Sequence, residues 1–268
     1  MIQPLQSRNP SVKPRWITSV GVMESVVAYN CRKHGFPRPV LAAPMWEGAG
    51  KRAMDYSGYC HHGDIYGGCE WTRNGIHTHG SPGVIDVDYT IPTIATTDSF
   101  TWSALVYLQT GNSITSVIIG NRNLGTSSPL QFVKLTPSKF EYYHGGLLPG
   151  LYHTIPTEEW RHLIIVKDGA DFTYYSNGVI VDTGSTTISM DPNPFYVGGD
   201  PNGNEYTNGE FGGVHLFDSA LNPAQVYLLT KDPYLLFRIP EELYGYTVAA
   251  GGISIPVVMH HLRQQGIL

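Results

Sequence analysis

The sequence has few charged residues and no long apolar segment. Asp, Glu, Lys and Arg make up only 15% of its 268 residues, and the formal net charge is −5. A surface that binds nucleic acid needs a basic patch, and Lys and Arg do not cluster here, so the composition argues against a nucleic-acid partner. No apolar run reaches the roughly 18 residues that a transmembrane helix requires. We therefore expect no segment that spans a membrane.

Cysteine is also scarce. Three residues, Cys31, Cys60 and Cys69, cannot all pair within one chain, so they do not make a disulfide framework. A bridge between Cys60 and Cys69 across a loop is one alternative, and free thiols are the other. Residues 1–6 lack the basic and apolar regions of a secretory signal peptide. We therefore expect a chain that is made and folded in a cytoplasm.

Turn-forming and aromatic residues are plentiful instead. The chain contains 30 Gly, 19 Pro and 17 Tyr, a mixture that is typical of an all-β protein with many short strands. Its length is sufficient for one β-sandwich with additional segments at its ends. Apolar and alternating patterns predict strands at residues 41–46, 84–88, 100–108, 116–120, 130–135 and 139–143.

The strongest local signal is a hairpin at Asn177-Gly178. Residues 161–167 are largely apolar, which predicts a strand in the centre of a sheet. Asn-Gly favours positive φ at both turn positions and should join strands at residues 172–176 and 179–182. A two-residue loop predicts three facing pairs: Ser176 with Val179, Tyr175 with Ile180, and Tyr174 with Val181. Phe172, Tyr174 and Val181 would then share the core face.

This hairpin and its surroundings resemble a known family. The segment from Trp160-Arg161-His162 through Asp168-Gly169 to the Asn177-Gly178 turn is similar to the central motif of laminin-G-like, concanavalin-A-like jelly rolls. Residues 46–50, 55–63 and 100–106 resemble its opening, and residues 195–199 and 211–222 resemble its closing strands. The resemblance implies an all-β fold, a two-sheet antiparallel jelly-roll sandwich over residues 37–232. An N-terminal arm (1–36) and a strand-like C-terminal extension (233–268) would flank it.

The flanking segments carry their own local signals. Prolines and basic residues in residues 1–15 predict an extended arm, whereas residues 20–29 suit either a strand or a short helix. Asn222, Pro223 and Gln225 form a helix-start signal with a capping box, which predicts a helix over residues 223–230. Residues 244–259 are apolar and strand-like. Such a segment needs a surface to cover, either on its own sandwich or on a partner.

The sequence gives no sign of catalytic carboxylates. Glycosidases of this fold place Glu, Asp and Glu on one strand, and an alternating Glu-x-Asp-x-x-Glu pattern does not occur here. Asp86 and Asp88 share a strand face, but without a third carboxylate they are interpreted as surface groups. A Gly-x-Ser-x-Gly elbow and a phosphate-binding Gly-Lys loop are also missing. We therefore expect no enzymatic activity.

Two groups of residues have metal-ligand character. The first group contains zinc-type ligands: Cys60, His61, His62, Cys69, His77 and His79. Their spacing matches no compact zinc motif, so an interpretation as turn and strand residues with partly buried thiols is favoured. The second group is Asp200, Asn202 and Asn204, whose oxygens alternate around a Gly as in a calcium loop. The alternative is a plain hairpin loop, and Gly212-Gly213 stands where related jelly rolls often carry an acidic pair.

A tyrosine-rich stretch is the candidate for glycan or protein contact. Tyr142, Tyr143 and Tyr152 could stack on sugar rings or anchor an interface if their rings are exposed. Consecutive tyrosines on one strand, however, place one ring inside and one outside. Lectin-like binding and a purely structural role both stay open for these residues.

The terminal segments decide between the functions. Residues 253–261, followed by a polar tail, resemble tails on jelly-roll proteins of tailed bacteriophages. That resemblance implies a non-enzymatic virion structural protein, a capsid decoration or head/tail surface protein, assembled in the host cytoplasm. It would attach through its ends to capsid or tail subunits and associate with itself. The alternative function is a carbohydrate-binding adhesion module, with a glycan as partner. No cofactor is expected beyond the calcium considered above.

Overall fold

The computed structural model describes residues 20–122, 130–145 and 150–240. These residues form two α-helices, one 3₁₀ helix and sixteen strands. The helices are α1 (Val20–His34), α2 (Pro223–Lys231) and the 3₁₀ helix Leu235–Phe237. The strands are β1 (Leu41–Ala43), β2 (Arg52–Ala53), β3 (Gly63–Tyr66), β4 (Cys69–Trp71), β5 (Ile76–His79), β6 (Val84–Ile91), β7 (Phe100–Leu108), β8 (Ile119–Gly120), β9 (Gln131–Leu135), β10 (Lys139–His144), β11 (Gly150–Tyr152), β12 (Trp160–Asp168), β13 (Asp171–Ser176), β14 (Val179–Ser185), β15 (Asn193–Val197) and β16 (Asn208–Phe217).

The strands form two antiparallel sheets of eight strands each. Sheet A has the order β14-β13-β12-β7-β16-β5-β4, and β1 also pairs with β16. Sheet B has the order β11-β10-β9-β8-β15-β6-β3-β2. The inner faces of the two sheets enclose one hydrophobic core, which includes Trp102, Phe172 and Phe195. The predicted two-sheet jelly-roll sandwich is therefore confirmed.

The hairpin at Asn177-Gly178 forms as predicted near its turn and deviates further away. Ser176 pairs with Val179 and Tyr175 pairs with Ile180, but Tyr174 pairs with Asp182 instead of Val181. A β-bulge shifts the register between Tyr174 and Tyr175, because one extra residue on a strand displaces every later pair. The prediction that Tyr174 faces Val181 was therefore wrong, although the ring of Tyr174 does lie in the core.

Several strands are shorter or longer than the sequence predicted. Strand β7 has the predicted limits, and β6 runs three residues beyond the predicted end at Asp88. Strand β1 ends at Ala43 because Pro44 follows and Met45 adopts a φ of 53°, which is incompatible with an extended strand. Of the predicted strand at residues 116–120, only Ile119–Gly120 forms regular strand, although Ile118 also donates its backbone N–H to the carbonyl oxygen of Leu135 at 2.8 Å.

A second hydrophobic cluster covers the outer face of sheet A. Outward-facing residues of β12, β13 and β16, among them Ile164 and Phe217, pack against α1, α2 and the 3₁₀ helix. Val27 of α1 and Leu229 of α2 are fully buried in this cluster. Residues 20–29, for which the sequence allowed a strand or a short helix, therefore lie in the longer helix α1 (Val20–His34), which packs on the sandwich. Residues 1–19 and the strand-like run at 244–259 lie outside the described residues.

The 3₁₀ helix contacts α1, so the two ends of the described chain lie side by side. Asn30 of α1 donates from Nδ2 to the carbonyl oxygens of Leu236 (3.0 Å) and Arg238 (2.7 Å). Phe237 packs on Trp46 with ring centroids 5.4 Å apart. Residues 235–239 of the predicted extension thus pack on the outer face of sheet A.

Helix α2 begins with the predicted capping box. The side chain of Asn222 accepts a hydrogen bond from the backbone N–H of Gln225 (3.0 Å), and the Gln225 side chain accepts one from the backbone N–H of Asn222 (2.8 Å). Pro223 occupies the first turn, where its missing N–H costs nothing. Leu221 and Val226 are both buried in the same cluster, as expected of residues that flank a helix start.

Candidate functional site

The outer face of sheet B is polar and carries an open cleft. The cleft has a volume of about 360 Å³ at the β2, β3, β6 and β15 end of the sheet. Its lining includes three carboxylates, one guanidinium and two phenol rings. These are Asp64, Asp86, Asp88, Arg52, Tyr89 and Tyr196.

Strand register brings the polar groups of the cleft together. Arg52 pairs with Asp64, Asp64 pairs with Asp86, and Asp86 pairs with Tyr196 on successive antiparallel strands. Directly opposed residues on one face of a sheet have Cβ atoms about 5 Å apart. The four side chains therefore form one row across four strands, and Asp88 lies two residues beyond Asp86 on the same face.

The row carries an excess of negative charge. Arg52 Nε lies 2.8 Å from Asp64 Oδ1, so one carboxylate has a counter-ion. Burial raises the pKa of Asp86, and the neighbouring charges of Asp64 and Asp88 raise this pKa further. Three carboxylates against one guanidinium leave the cleft anionic and rich in hydrogen-bond acceptors.

A hydrogen-bonded loop contributes Cys60 and His62 to the lining of the cleft. Asp55 is fully buried and its Oδ1 accepts the backbone N–H groups of Ala42 (2.9 Å) and Ser57 (2.8 Å). Its Oδ2 accepts from Ser57 Oγ (2.6 Å) and from the backbone N–H of His61 (2.9 Å). Gly58 has a φ of 92°, and the bond from the Ser57 N–H to Asp55 Oδ1 closes an Asx turn at this point.

Aromatic rings of this loop and of β6 lie at the edge of the cleft. The His61 ring lies 4.5 Å from the Tyr89 ring and is stacked at 6.1 Å on Tyr59, measured between centroids. His61 Nδ1 lies 2.8 Å from the carbonyl oxygen of Asp88. Half of the Tyr59 surface is exposed, at 51%. Carboxylate acceptors beside exposed rings are the chemistry that binds polyhydroxylated ligands, because hydroxyls donate to the acids while C–H faces stack on the rings.

The three predicted tyrosines lie at the other end of sheet B and differ in exposure. Tyr142 is 0% exposed and belongs to the core, so its ring cannot meet a ligand; β10 turns this residue inward. Tyr143 stacks on Phe132 with centroids 4.8 Å apart. Tyr152 is 64% exposed on β11. A glycan or protein contact at Tyr143 and Tyr152 stays a prediction.

The predicted calcium loop contains an internal ion pair. Asp200 is fully buried, and its Oδ2 is bonded to the guanidinium of Arg122. Its Oδ1 accepts the backbone N–H of Asn202 at 3.0 Å, and Asn204 adopts a φ of 56°. Arg122 therefore supplies positive charge where a calcium ion was expected. Calcium binding by Asp200, Asn202 and Asn204 stays a prediction, while the loop chemistry alone accounts for this geometry.

The same region holds a buried network of charges. Lys134, only 2% exposed, lies 3.0 Å from Glu141 and 2.8 Å from Glu205. Arg122 is 2.9 Å from the same Glu205, and Lys139 is 2.6 Å from Glu141. Buried charges need such pairing because their desolvation is costly. This network holds the β15–β16 loop on sheet B and fixes the far end of the polar face.

The Cys/His group does not assemble into one site. All three cysteines are free thiols, so the Cys60–Cys69 bridge does not form. Burial raises the pKa of Cys31 to about 12 and that of Cys69 to about 11, so neither is a ready thiolate. His62 Nδ1 accepts the backbone N–H of Asp55 at 3.0 Å and has a structural role. Of the group, His77 and His79 come together with Glu70 on sheet A.

Sequence reasoning missed the third carboxylate of the cleft. Asp86 and Asp88 were interpreted as surface groups without an acidic neighbour, whereas β3 places Asp64 directly beside Asp86. Residues 69–79, which lie between these two strands in the chain, form β4 and β5 of the other sheet. The alternation of Asp64 with Gly63 and Ile65 was the only local signal, and it is too short to identify a partner strand.

Comparison with protein families identifies the fold family of the sandwich. A laminin G family model, described as the concanavalin A-like lectin/glucanases superfamily, matches residues 83–227. Comparison with curated proteins gave no match. Among the described residues, no helix is long and apolar enough to cross a membrane.

Solved structures share the fold at low sequence identity. Domain 4 of AbnA, an extracellular arabinanase from Geobacillus stearothermophilus in complex with arabinotriose, has a TM-score of 0.57 and 17% identity and covers 72% of this chain and 98% of that domain. A Trypanosoma rangeli sialidase has a TM-score of 0.57 and 15% identity over 80% of this chain, which spans only 40% of the sialidase. The botulinum neurotoxin type G receptor binding domain has a TM-score of 0.57 and 13% identity over 73% of this chain and 51% of that one.

Proposed function

Because the chain belongs to the concanavalin A-like lectin/glucanases superfamily, we propose that it is a carbohydrate-binding module whose cleft on sheet B holds a neutral glycan. The direct pairing of Asp64 with Asp86, beside the half-buried ring of Tyr89 in the same cleft, carries this proposal. Carboxylates that accept hydroxyl protons beside an aromatic ring are a typical sugar-binding combination. The fold shared with an arabinanase domain in complex with arabinotriose makes arabino-oligosaccharides a first probe.

The charge of the cleft favours a neutral sugar over an acidic one. Arg52 already engages Asp64, and within the described residues no cationic group forms a salt bridge with Asp86 or Asp88. A carboxylate-bearing sugar would bring like charge to these groups, which is unfavourable at short range. The similarity to a sialidase therefore concerns the fold and does not extend to a sialic acid ligand.

We propose binding without hydrolysis. The strand that carries Asp86 and Asp88 lacks the Glu-x-Asp-x-x-Glu pattern of glycosidases of this fold, and the third carboxylate comes from another strand. Arg52 on Asp64 holds that carboxylate in an ion pair at 2.8 Å. This oxygen of Asp64 is therefore already engaged by the guanidinium and is not free to act on a glycosidic bond.

The proposal is tested by titrating neutral and sialylated oligosaccharides into the intact protein by calorimetry. We expect a neutral oligosaccharide to bind, with Asp86→Asn lowering its affinity about 10-fold, because a hydrogen bond to a charged group contributes about 1.5 kcal/mol or more. Asp171→Asn at the exposed first residue of β13, on the other sheet, is the matched control and should bind normally. Binding that is equal in Asp86→Asn and Asp171→Asn would remove the cleft as the site.

Hydrolysis is measured on the same panel. We expect no release of reducing sugar above a blank by the wild-type chain. Release that disappears in Asp86→Asn but persists in Asp171→Asn would show an enzyme and would overturn the non-enzymatic assignment.

We further propose that the terminal segments attach the sandwich to a larger assembly, as the resemblance to tailed-phage structural proteins implies. One observation favours this role. Helix α1 and the 3₁₀ helix, from which the chain continues in both directions, pack on sheet A, whereas the cleft lies on the outer face of sheet B. Attachment through the ends would leave the cleft open to solvent. A virion of a tailed phage, with capsid or tail subunits and further copies as partners, is the assembly that we propose.

Removal of the C-terminal segment tests this attachment. Ile239 is 9% exposed and packs with Phe237 in the cluster on sheet A, so the deletion should begin after Pro240. We expect the chain without residues 241–268 to fold, bind the same glycan and lose self-association in sedimentation analysis. A truncated chain that unfolds would instead place these residues in its own core.

A further inference from the structure

We propose a second site, a divalent transition-metal site of the zinc class, formed by Glu70, His77 and His79 on the outer face of sheet A. It lies at the β4 edge of that sheet, away from the cleft on sheet B. Strand register builds it from the backbone. Glu70 on β4 pairs directly with His77 on β5, and His79 lies two residues along, on the same face.

The three side chains already converge. His79 Nε2 lies 2.9 Å from Glu70 Oε1, and His77 Nδ1 lies 4.0 Å from the same oxygen. One ligand atom from each residue can be chosen so that all lie within 4.8 Å of one another. A zinc ion with bonds of about 2.0–2.2 Å places tetrahedral ligands about 3.3 Å apart. Small rotations of the exposed Glu70 and His79 side chains therefore suffice to bind an ion.

A neighbouring side chain fixes the tautomer of the buried ligand. His77 Nε2 lies 3.1 Å from Asn208 Oδ1. Because an amide oxygen only accepts, His77 donates from Nε2, and the lone pair of Nδ1 is left for a metal. Histidine ligands in metal sites are commonly oriented in this way through their second ring nitrogen. This hydrogen bond points to a ligand role beyond the simple ion pair of Glu70 with His79.

The surroundings favour a cation. Glu210 on β16 pairs with His77 from the other side, so the imidazole lies between two carboxylate-bearing strands. Thr72 Oγ1 and Asn74 Nδ2 hold Glu210 at 3.2 Å and 3.4 Å. Two imidazole nitrogens and one carboxylate form the donor set that prefers zinc, nickel or cobalt over calcium and magnesium. The exposed side of Glu70 and His79 leaves the fourth position open to water.

The site is tested with Zn²⁺ and Co²⁺ on the full chain carrying Cys60→Ser, His260→Ala and His261→Ala. This background removes an exposed thiol and a histidine pair in the tail, which could bind metal independently. We expect one Co²⁺ per chain with visible d–d absorption bands of a nitrogen/oxygen site, and one Zn²⁺ by calorimetry. Mg²⁺ and Ca²⁺ should not displace the cobalt.

Variants identify the ligands. We expect Glu70→Gln and His79→Ala, both at exposed positions, to fold normally and to weaken Zn²⁺ binding about 100-fold, and Asn208→Leu to weaken it about 10-fold. His61→Ala, a histidine on the other side of the sandwich, is the matched control and should keep full affinity. Unchanged cobalt spectra and stoichiometry in His79→Ala would overturn the proposal. Glycan binding should be the same in Glu70→Gln and its background, so the two sites are tested separately.

Discussion

The two outer faces of the sandwich differ in what covers them. On sheet A, outward-facing Ile164, Val166 and Phe217 are buried under two helices and the 3₁₀ helix. On sheet B, outward-facing positions carry Asp64, Asp86 and further polar side chains, and these face an open cleft. Over β12, β13 and β16, the outer face of sheet A thus contributes a second hydrophobic core, whereas the outer face of sheet B presents charge and hydrogen-bond acceptors to solvent.

Because of this difference, the residues that stabilise the fold and the residues proposed to bind a ligand lie on opposite faces of the sandwich. A jelly roll needs a single core between its sheets, so the outer faces are free to vary. Residues that stabilise by burial on sheet A should tolerate little change, whereas acidic residues on sheet B should be replaceable without loss of the fold. Substitutions on the two faces test this separation.

Truncating the cover of sheet A should have the largest effect. Phe237 is 3% exposed and packs on Trp46, Tyr56 and His215. We expect Phe237→Ala to lower the free energy of unfolding by about 3–5 kcal/mol, because the lost ring leaves a cavity. Urea unfolding measures the change. The exposed Tyr227 of α2 is the control, and Tyr227→Ala should change stability by less than about 0.5 kcal/mol.

Acid should lower the stability of the fold through two buried histidines on the outer face of sheet A. Burial lowers the pKa of His162 to about 3, helped by the neighbouring His215, and lowers the pKa of His215 to about 4. Unfolded histidine titrates near pH 6.5. The folded state therefore binds fewer protons, so stability is complete above about pH 6.5 and falls as the pH approaches 4. Each histidine should account for about 2 kcal/mol between pH 6.5 and 5.

A variant isolates one histidine from the carboxylates that also titrate. Within the part of the chain that the structure describes, neither ring nitrogen of His215 has a hydrogen-bond partner. His215→Leu should therefore retain its stability at pH 7 and lose less of it on acidification. Unfolding curves at several pH values measure both quantities. If the unfolding free energy decreases equally with falling pH in the variant and in the wild type, His215 is not held neutral in the folded state.

Removing the helix cap should have a moderate effect. Asn222 accepts the backbone N–H of Gln225 at 3.0 Å. We expect Asn222→Ala to cost about 1 kcal/mol, as is usual for loss of an N-cap side chain, and Asn222→Ser to restore most of it. Thermal unfolding followed by circular dichroism compares the two. If Asn222→Ser is as destabilised as Asn222→Ala, the cap is not the source of the effect.

Neutralising the cleft should change stability least. Burial and the charges of Asp64 and Asp88 raise the pKa of Asp86. A raised carboxyl pKa means that the folded state takes up protons more readily, so the contribution of Asp86 to stability grows as the pH falls, opposite in sign to the histidines. Asp86→Asn should therefore keep or slightly raise the unfolding free energy at pH 7. A marked loss in urea unfolding would make this carboxylate part of the fold.

Local chemistry predicted the elements that depend on neighbours in sequence. The capping box of α2 and the turn at Asn177-Gly178 follow from side chains that contact their own backbone. The jelly roll followed from the family resemblance. The bulge that displaces Val181 could not be predicted, because it depends on how β14 packs in the sheet and not on the turn.

The candidate site depended on long-range pairing, and the sequence therefore indicated only part of it. Asp86 was predicted on the correct strand face, but its neighbours come from β3 and β15, which are remote in sequence. Glu70 was not included among the predicted zinc-type ligands for the same reason, because only the β4–β5 register places it beside His77. Tyr142 was a candidate contact until β10 placed it inside. Register decides these cases, and single-strand patterns leave it open.

The central claim is that sheet B binds a glycan while sheet A stabilises the fold, and hydrogen exchange tests it most directly. Amide exchange is measured by mass spectrometry with and without a saturating neutral oligosaccharide. We predict added protection in β3 (Gly63–Tyr66) and β6 (Val84–Ile91), with no change in α1 (Val20–His34). Protection confined to α1 and the 3₁₀ helix, or an unchanged exchange pattern with ligand demonstrably bound, would contradict the account.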